Sequence, residues 1–577
     1  MNTSAAGVAR SLPVPPHGRV KPVVDGQRRI AQALLIVACA ALVVFLLAPL
    51  AAILVKSVQD KDGTFAGLGQ FRAYLQSGAL LESAWNTLWV ASVVTLITIP
   101  LAFTFAYALT RSCMPGRQVF RLIALTPILA PSMLAAISFI QWFGNQGALK
   151  VLLMGHSVYG PIGIIISAVY AIFPHALMIV ITALLLADRR LFEAAESLGT
   201  SKWRKFFTIT LPSARYGLVS AAMVVFSYTV SDFGIPKVIG GNFHVLAIDI
   251  YQQVIGQQNF NRGAVVGLIL LLPVVLAFIV DAYMQRSQQS QFSSRAVPYA
   301  PRPSRAFDTA MFVYCAIIAA FMLAVLGMAI FTSFIKLWPY DLHFSLRNYV
   351  YGLVDGGVID NYFNSVKLGF LTALFGTLLV FVTAYLIEKM RGMNATRGAI
   401  RLLAAIPMAV PGMVLGLGYI FFFNEPRNPF HFLYGTMAIL VLSTIIHYYT
   451  SSHLTAVTAL KSLDDEFEAV SASLKVPFYK TFARVTMPVC LPAILDIARY
   501  LFINAMVTLS AVIFLYSPDT KLASVAIVSL DESGEIGAAA AMATLIVATS
   551  TAVCIVYALL TRVLLRRTQA WRAPASE

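Results

Sequence analysis

Glu193, Glu196, Lys202, Arg204 and Lys205 crowd into one stretch, EAAESLGTSKWRKFFTITLP, which runs from Glu193 to Pro212 between long apolar runs. So much charge within about twenty residues is costly in hydrocarbon. The stretch therefore belongs on one face of a bilayer, and its side chains suit gripping rather than bond-making. Elsewhere the material for catalysis is thin. The eight histidines are isolated, and His175 and His447 fall inside apolar runs. An intramembrane histidine marks either a functional position or a helix-to-helix hydrogen bond. Cys39, Cys113, Cys315, Cys490 and Cys554 have no metal-ligand spacing and suggest no disulfide framework. No GxxxxGK[ST] phosphate loop occurs. The reading is no catalytic residue, no metal site and no ATPase of its own.

The elements that must position the polar stretch are membrane helices. Only 12% of the 577 residues are charged and 59% are hydrophobic, against roughly 25% charged in soluble domains. The net charge of +16 falls mostly in short loops between apolar runs, as the positive-inside rule requires, and does not signal nucleic acid. Spans of about twenty apolar residues are expected at Ile30–Val55, Ala84–Leu109, Val119–Phe143, Ile162–Leu186, Ala214–Val230 and Gly263–Tyr283. A second set is expected at Thr309–Phe334, Phe363–Ile387, Leu402–Phe423, Gly435–Leu460, Ala493–Tyr516 and Gly537–Leu564. The fold class is thus an all-α polytopic membrane protein of about twelve transmembrane helices. Residues 1–29 read as a polar cytoplasmic tail, 30–284 as a first half, 285–306 as a cytoplasmic linker, 307–565 as a second half and 566–577 as a cytoplasmic tail. The basic residues place both termini, the linker and the Glu193–Pro212 loop on the inner side.

The second half echoes the first at an offset of about 276 to 280 residues. RLIALTPILAPSML is echoed by RLLAAIPMAVPGMV, and ESLGTSKWRKFFTITLP by ASLKVPFYKTFARVTMP. Two parallel repeats put a pseudo-twofold axis along the membrane normal and a substrate path between the halves. Pro127 and Pro131 in the third span, with Pro407 and Pro411 in its echo, are read as a hinge or cavity wall, or as packing kinks. Asp232 closes the fifth span, and Asn504 and Ser510 lie in its echo; they are candidates for lining the passage.

Glu193, Ala194, Ala195, Gly199, Ile209, Leu211 and Pro212 fit the pattern Glu-Ala-Ala, three residues, Gly, nine residues, Ile, one residue, Leu-Pro at every place. This resembles the EAA loop of membrane subunits of bacterial ATP-binding-cassette importers, and the resemblance extends over both halves. It implies the type I permease fold in the bacterial inner membrane. It also implies a separate ATP-binding subunit, one copy per loop, that carries the ATP and Mg²⁺, and a periplasmic solute-binding protein. The residues allow a short helix over Phe192–Leu198 released by Gly199, then a second helix from Ser201 with Trp203, Phe206 and Phe207. The second copy, 468–488, departs from the pattern: Glu468 lies one place early, Lys475 stands where Gly199 does, and Val485 and Pro488 keep the Ile and Pro places. Its break is expected near Pro477. An amphipathic helix lying on the inner leaflet is the bland alternative.

The segment from Tyr228 resembles fused permeases that import ferric iron, while the stretches from Ser333 and Leu509 resemble the 2-aminoethylphosphonate branch of that group. The expectation is therefore phosphonate import, with ferric iron as the alternative and a self-sufficient twelve-span secondary transporter as the rival class. Ferric iron calls for hard oxygen ligands. The spans hold few carboxylates: Asp232, Asp281, Glu388 and Asp496.

Overall fold

The computed structural model describes residues 26–60, 63–76, 78–291, 299, 301–390, 392–464, 466–474 and 476–568. Most of the tails, part of the linker, and Lys475 fall outside the described residues. Among those described, eight helices are long and apolar enough to cross a membrane, or up to eleven if each bent pair is one span. Spans 1, 2, 4, 5 and 6 are Arg29–Ser57, Ala79–Arg111, Pro161–Leu185, Lys202–Ser231 and Phe260–Gln285. Spans 7, 8 and 12 are Arg305–Ser333, Ile359–Lys389 and Ile536–Leu564. Span 10 is a helix at Met437–His447 that resumes at Tyr449–Lys461.

Spans 3 and 9 are not kinked helices, as the paired prolines suggested, but two helices meeting at about a right angle. Arg117–Leu129 meets Ser132–Phe143 at 100°, and Asn394–Ala409 meets Gly412–Phe423 at 114°. The cause is local. Pro131 (ψ 143°) and Pro411 (ψ 141°) are extended and start the second helix of each pair, a place where a missing N–H costs nothing. Pro127 and Pro407 open the short tight turn just before it. Thr450 stitches the second break: its hydroxyl donates to Ala404 O (2.7 Å) and accepts from Met408 N (3.2 Å).

The polar loop also differs from expectation. Its second helix does not stop before span 5 but runs straight into it, from Lys202 to Ser231. The turn Phe206–Thr210 is widened, with Leu211 N donating to Phe206 O, and the same widening occurs at Phe482–Thr486, where Met487 N reaches Phe482 O. A proline follows at once in each case, Pro212 and Pro488. A proline ring inside a helix collides with the carbonyl one turn back, and a widened turn makes room for it. In the second copy Pro492 adds another such collision, and span 11 breaks there: Phe478–Val489 and Leu491–Val507 meet at 77°. Span 11 also ends at Val507, short of the expected Tyr516.

The halves interlock through their first spans. Span 1 packs on the second half: Tyr419 Oη donates to Phe45 O (2.7 Å), and Phe45 stacks on Phe423 with centroids 6.0 Å apart. Span 7 packs on the first: Tyr314 Oη donates to Leu101 O (2.9 Å), and Phe312 meets Phe120 at 5.3 Å. Gly418 permits this closeness, since a Cβ there would lie 2.7 Å from Pro49 O. Small residues let membrane helices approach in this way.

Candidate functional site

The two proline breaks face a common cavity of about 260 Å³ between the halves. Pro127, Pro407 and Pro411 line it, and Pro131 is buried directly behind, between the lining residues Ala130 and Ser132. All three candidate passage residues are there as well: Asp232, Asn504 and Ser510. Ser510 lies beyond the end of span 11, however, in a non-helical stretch rather than inside a span as expected. Asp232 accepts from Ser132 Oγ (3.1 Å) and from Ile235 N (3.2 Å). Asn504 donates to Tyr500 O one turn back (2.8 Å), which leaves its carbonyl oxygen for the cavity. The other expected carboxylates are elsewhere. Asp281 accepts from Ser220 and Gln285, Glu388 pairs with Arg401 at 2.9 Å, and Asp496 pairs with Arg499 at 3.1 Å.

The two histidines noted in the apolar runs complete this wall, together with tyrosines that the sequence did not single out. Tyr228, Tyr448 and Tyr500 line the cavity, with His175 and His447. The Nδ1 atoms of both histidines are buried without a hydrogen-bond partner among the described residues. His175 packs edge-on to Tyr228 at 4.9 Å and His447 to Tyr448 at 4.6 Å. No lysine or arginine is among the lining residues. The cavity thus offers one carboxylate, three phenols, an amide carbonyl, two imidazoles and several serine and threonine hydroxyls, with no lysine or arginine. No group of three or more metal-ligating His, Cys, Asp or Glu side chains occurs among the described residues.

The polar loops sit at the end of the bundle away from the Ile335–Phe344 hairpin. In the first, Asp188 caps the helix Arg189–Ser197 by accepting from Arg190 N (3.0 Å). Gly199 then takes φ +64°, and the turn closes with Thr200 N on Ala195 O (3.0 Å) and Gly199 N on Glu196 O (2.9 Å). Ser201 starts the next helix, its Oγ accepting from Arg204 N (3.3 Å). Glu193 pairs with Arg189 one turn back at 2.7 Å, on the surface. Ala194 is exposed and Ala195 is buried, Ile209 and Leu211 are half-buried, and Pro212 is exposed.

The second loop reproduces this shape without the glycine pattern. Its helix is Glu466–Ser473, and Val476 N closes on Ser471 O at 2.9 Å, the counterpart of the Thr200–Ala195 bond. Pro477 (φ −60°, ψ 138°) makes the break, where the sequence placed it. Lys475 itself lies outside the described residues. Glu468 accepts from Tyr385 Oη at 3.3 Å, and Val485 and Pro488 are half-buried.

The sequence pointed to Trp203, Phe206 and Phe207 in the first loop but not to their matches in the second, nor to the leucines beside them. Leu191, Leu198 and Trp203 are exposed by 53%, 83% and 76%; about 276 residues on, Phe467, Leu474 and Tyr479 are exposed by 52%, 70% and 53%. The two polar loops thus expose matching apolar triads. Behind them an aromatic clamp also repeats. Phe206 packs on Phe103 and Tyr107 at 5.9 Å each, and Phe482 on Phe381 at 5.9 Å and Tyr385 at 4.8 Å. The signal for the second set was present in the offset alignment, which places Tyr479 opposite Trp203 and Phe482 opposite Phe206.

The family described as binding-protein-dependent transport system inner membrane component matches residues 98–290 and 376–569. The chain belongs to this family. The two matches cover one half each, as the repeat implies, so the permease is a multi-pass inner-membrane protein with two fused copies of the family fold. It is 27% identical to a ferric transport system permease protein, FbpB, of Actinobacillus pleuropneumoniae, over 89% of this chain and 76% of that protein. It is 23% identical to an Fe(3+)-transport system permease protein, FbpB 2, of Haemophilus influenzae, over 80% of this chain and 87% of that one. The sulfate permease CysW of Escherichia coli K12 is 21% identical over only 37% of this chain. Similarity across both halves is found to these ferric systems, and also, at 24% identity over 86% of this chain, to a probable ABC transporter permease protein, y4fN, of Sinorhizobium fredii. The secondary-transporter reading is set aside.

Proposed function

We propose that this permease forms the membrane path of an ATP-driven importer and that its cargo is ferric iron or a complex of similar hardness, not a phosphonate. The observation that carries this reading is the wall of the cavity between the halves. Asp232, Tyr228, Tyr448, Tyr500 and Asn504 present oxygen, and no lysine or arginine faces them. Hard cations take oxygen ligands, whereas a phosphonate is met by cationic donors, above all arginine. The similarity of the whole chain to ferric permeases supports the same choice, and nothing in the comparisons favours the phosphonate expectation. An external binding protein delivers the cargo. A separate ATPase, in two copies that hold ATP and Mg²⁺, grips the Leu198/Trp203 and Leu474/Tyr479 surfaces. Both termini and both loops face the cytoplasm. The test is uptake into vesicles that contain the permease, its ATPase and its binding protein. ATP-dependent ⁵⁵Fe uptake that fails in Asp232→Asn, with ATPase docking retained, is the expected result. Uptake of 2-aminoethylphosphonate but not iron would overturn the choice of cargo.

A further inference from the structure

The first docking loop is held by residues from outside the first half. The chain leading into span 7 folds back across the loop, and Tyr299 packs on Phe192 with ring centroids 4.8 Å apart. The buried Arg111 guanidinium lies over both rings, 4.2 Å from Tyr299 and 5.0 Å from Phe192. Arg111 also donates to Leu184 O at 2.8 Å, at the loop end of span 4. Arg302 reaches Glu196 at 2.9 Å, and Lys205, from the loop's own second helix, reaches the same carboxylate at 3.3 Å. Further along, Asp308 accepts from Cys113 N (2.8 Å) and Ser304 N (2.9 Å), which ties the start of span 7 to the chain just beyond span 2.

Lys389 fills the place of Arg111 in the second half and donates to Leu463 O at 3.1 Å. The cation that ties the loop end of span 2 to that of span 4 is therefore a property of the fold. The aromatic lid and the Arg302–Glu196 pair are additions from the linker. Their symmetry counterparts would come from the segment before span 1, most of which lies outside the described residues.

We propose that Tyr299 and residues 301–308 form a brace that positions the first docking loop, with Tyr299 and Arg302 as positioning residues for ATPase coupling. The inference rests on the reading of the loop as the ATPase docking site. A loop that carries exposed Leu198 and Trp203 would, without support, spread over several poses. The lid fixes Phe192, the brace fixes Glu196, and the pose is pre-organised before the partner arrives. Conformational freedom removed in advance lowers the cost of docking. The two contacts differ in weight. Arg302 is 75% exposed, and exposed ion pairs contribute little, whereas a largely desolvated cation over two rings contributes more.

The test uses the full assembly of permease, ATPase and binding protein. Tyr299→Ala should lower binding-protein-stimulated hydrolysis about 10-fold, while basal hydrolysis and the permease's thermal midpoint stay within error. Tyr299→Phe should behave as wild type, because the contacts use the ring and not the hydroxyl. Arg302→Ala should lose less than about 5-fold. A chain with its native cysteines replaced, carrying Arg302→Cys and Glu196→Cys, should be bridged by a short bifunctional thiol reagent in the assembled complex and remain coupled. Equal loss in Tyr299→Phe and Tyr299→Ala, full coupling in Tyr299→Ala, or no bridging would each overturn the brace. If wild type itself shows no stimulated hydrolysis, the docking reading has failed rather than the brace.

Discussion

Replacing Gly199 separates backbone strain from steric effects with unusual clarity. Its φ of +64° lies in the left-handed region, and a Cβ built on it meets no atom within 4 Å. Any penalty is therefore conformational. The left-handed region costs a non-glycine residue about 1–2 kcal/mol, with asparagine at the low end and β-branched residues at the high end. The turn stays available because Thr200 N still closes on Ala195 O, but the docking shape becomes a minority among loop conformers. Apparent affinity falls in proportion to the competent fraction, so Gly199→Ala should weaken ATPase binding about 5- to 30-fold. Gly199→Asn should lose less and Gly199→Val more. The assay is titration of the ATPase against permease in nanodiscs, with stimulated hydrolysis as readout; at saturating ATPase most of the rate should return. Lys475→Gly, in the loop whose break is made by Pro477, should change affinity less than Gly199→Val. An order of Asn, Ala and Val that does not follow left-handed preference would refute the strain argument. So would a loss in Gly199→Val that saturation does not restore.

Trp203→Ala and Tyr479→Ala should each weaken docking, since exposed aromatics at the centre of an interface often carry more than about 2 kcal/mol; co-purification of the ATPase at graded salt measures it, and loss in neither variant would refute the matched triads. Gly217→Val should lower the thermal midpoint, because even a Cβ at this position overlaps Ala183 of span 4, and overpacking costs about 1–3 kcal/mol. Asp531, at the end of the helix Ala523–Glu532, has its carboxyl pushed up to about 6 by burial and by the neighbouring Glu532, with Lys237 opposing. A raised carboxyl favours the protonated folded state, so its contribution is full below the ordinary value of about 4 and fades as pH rises through 6. Asp531→Asn should flatten the stability profile across that window and exceed wild type above it, by thermal melts at stepped pH.

The periodic features were legible and the special ones were not. Spans of apolar residues, the duplication and the loop after span 4 follow from hydropathy and spacing, which report what solvent a helix meets. The right-angle breaks at Pro131 and Pro411 were visible only as kinks. Proline removes one hydrogen bond in either geometry, and the angle is set by what packs beneath, such as Thr450 bridging Ala404 and Met408. The tyrosines of the cavity wall were hidden because a phenol is at home in a bilayer with or without a passage. Only the convergence of both halves on one space distinguishes Tyr228, Tyr448 and Tyr500 from ordinary packing residues. The end of span 11 at Val507 was missed for the same reason: the residues to Tyr516 are mostly apolar and mostly buried, and hydropathy cannot tell a buried non-helical stretch from a helix.

The two polar loops present nearly the same apolar face on different stems, and this is where the duplication has diverged. Span 5 rises from the first loop as one helix from Lys202 to Ser231, while the second loop's stem bends by 77° beside Pro492. A force applied at Trp203 should reach Asp232 along one unbroken helix, widened only at Phe206–Thr210, with the linker lid holding its near end. The same force at Tyr479 meets a bend before it reaches Asn504, and part of it turns into rotation about that bend. Equal grips should therefore deliver unequal motion to the two sides of one cavity. Such inequality is useful where the cargo is held by Asp232 on one side and by neutral oxygens on the other. Moving the charged side first removes the strongest ligand while the weaker ones remain in place. Pro492→Ala, which lets span 11 regain its helix, should then raise the symmetry of motion, read as equal spin-label displacement at the two loop ends through the ATP cycle. Displacements that are already equal in the wild-type assembly would show that the bend carries no such role.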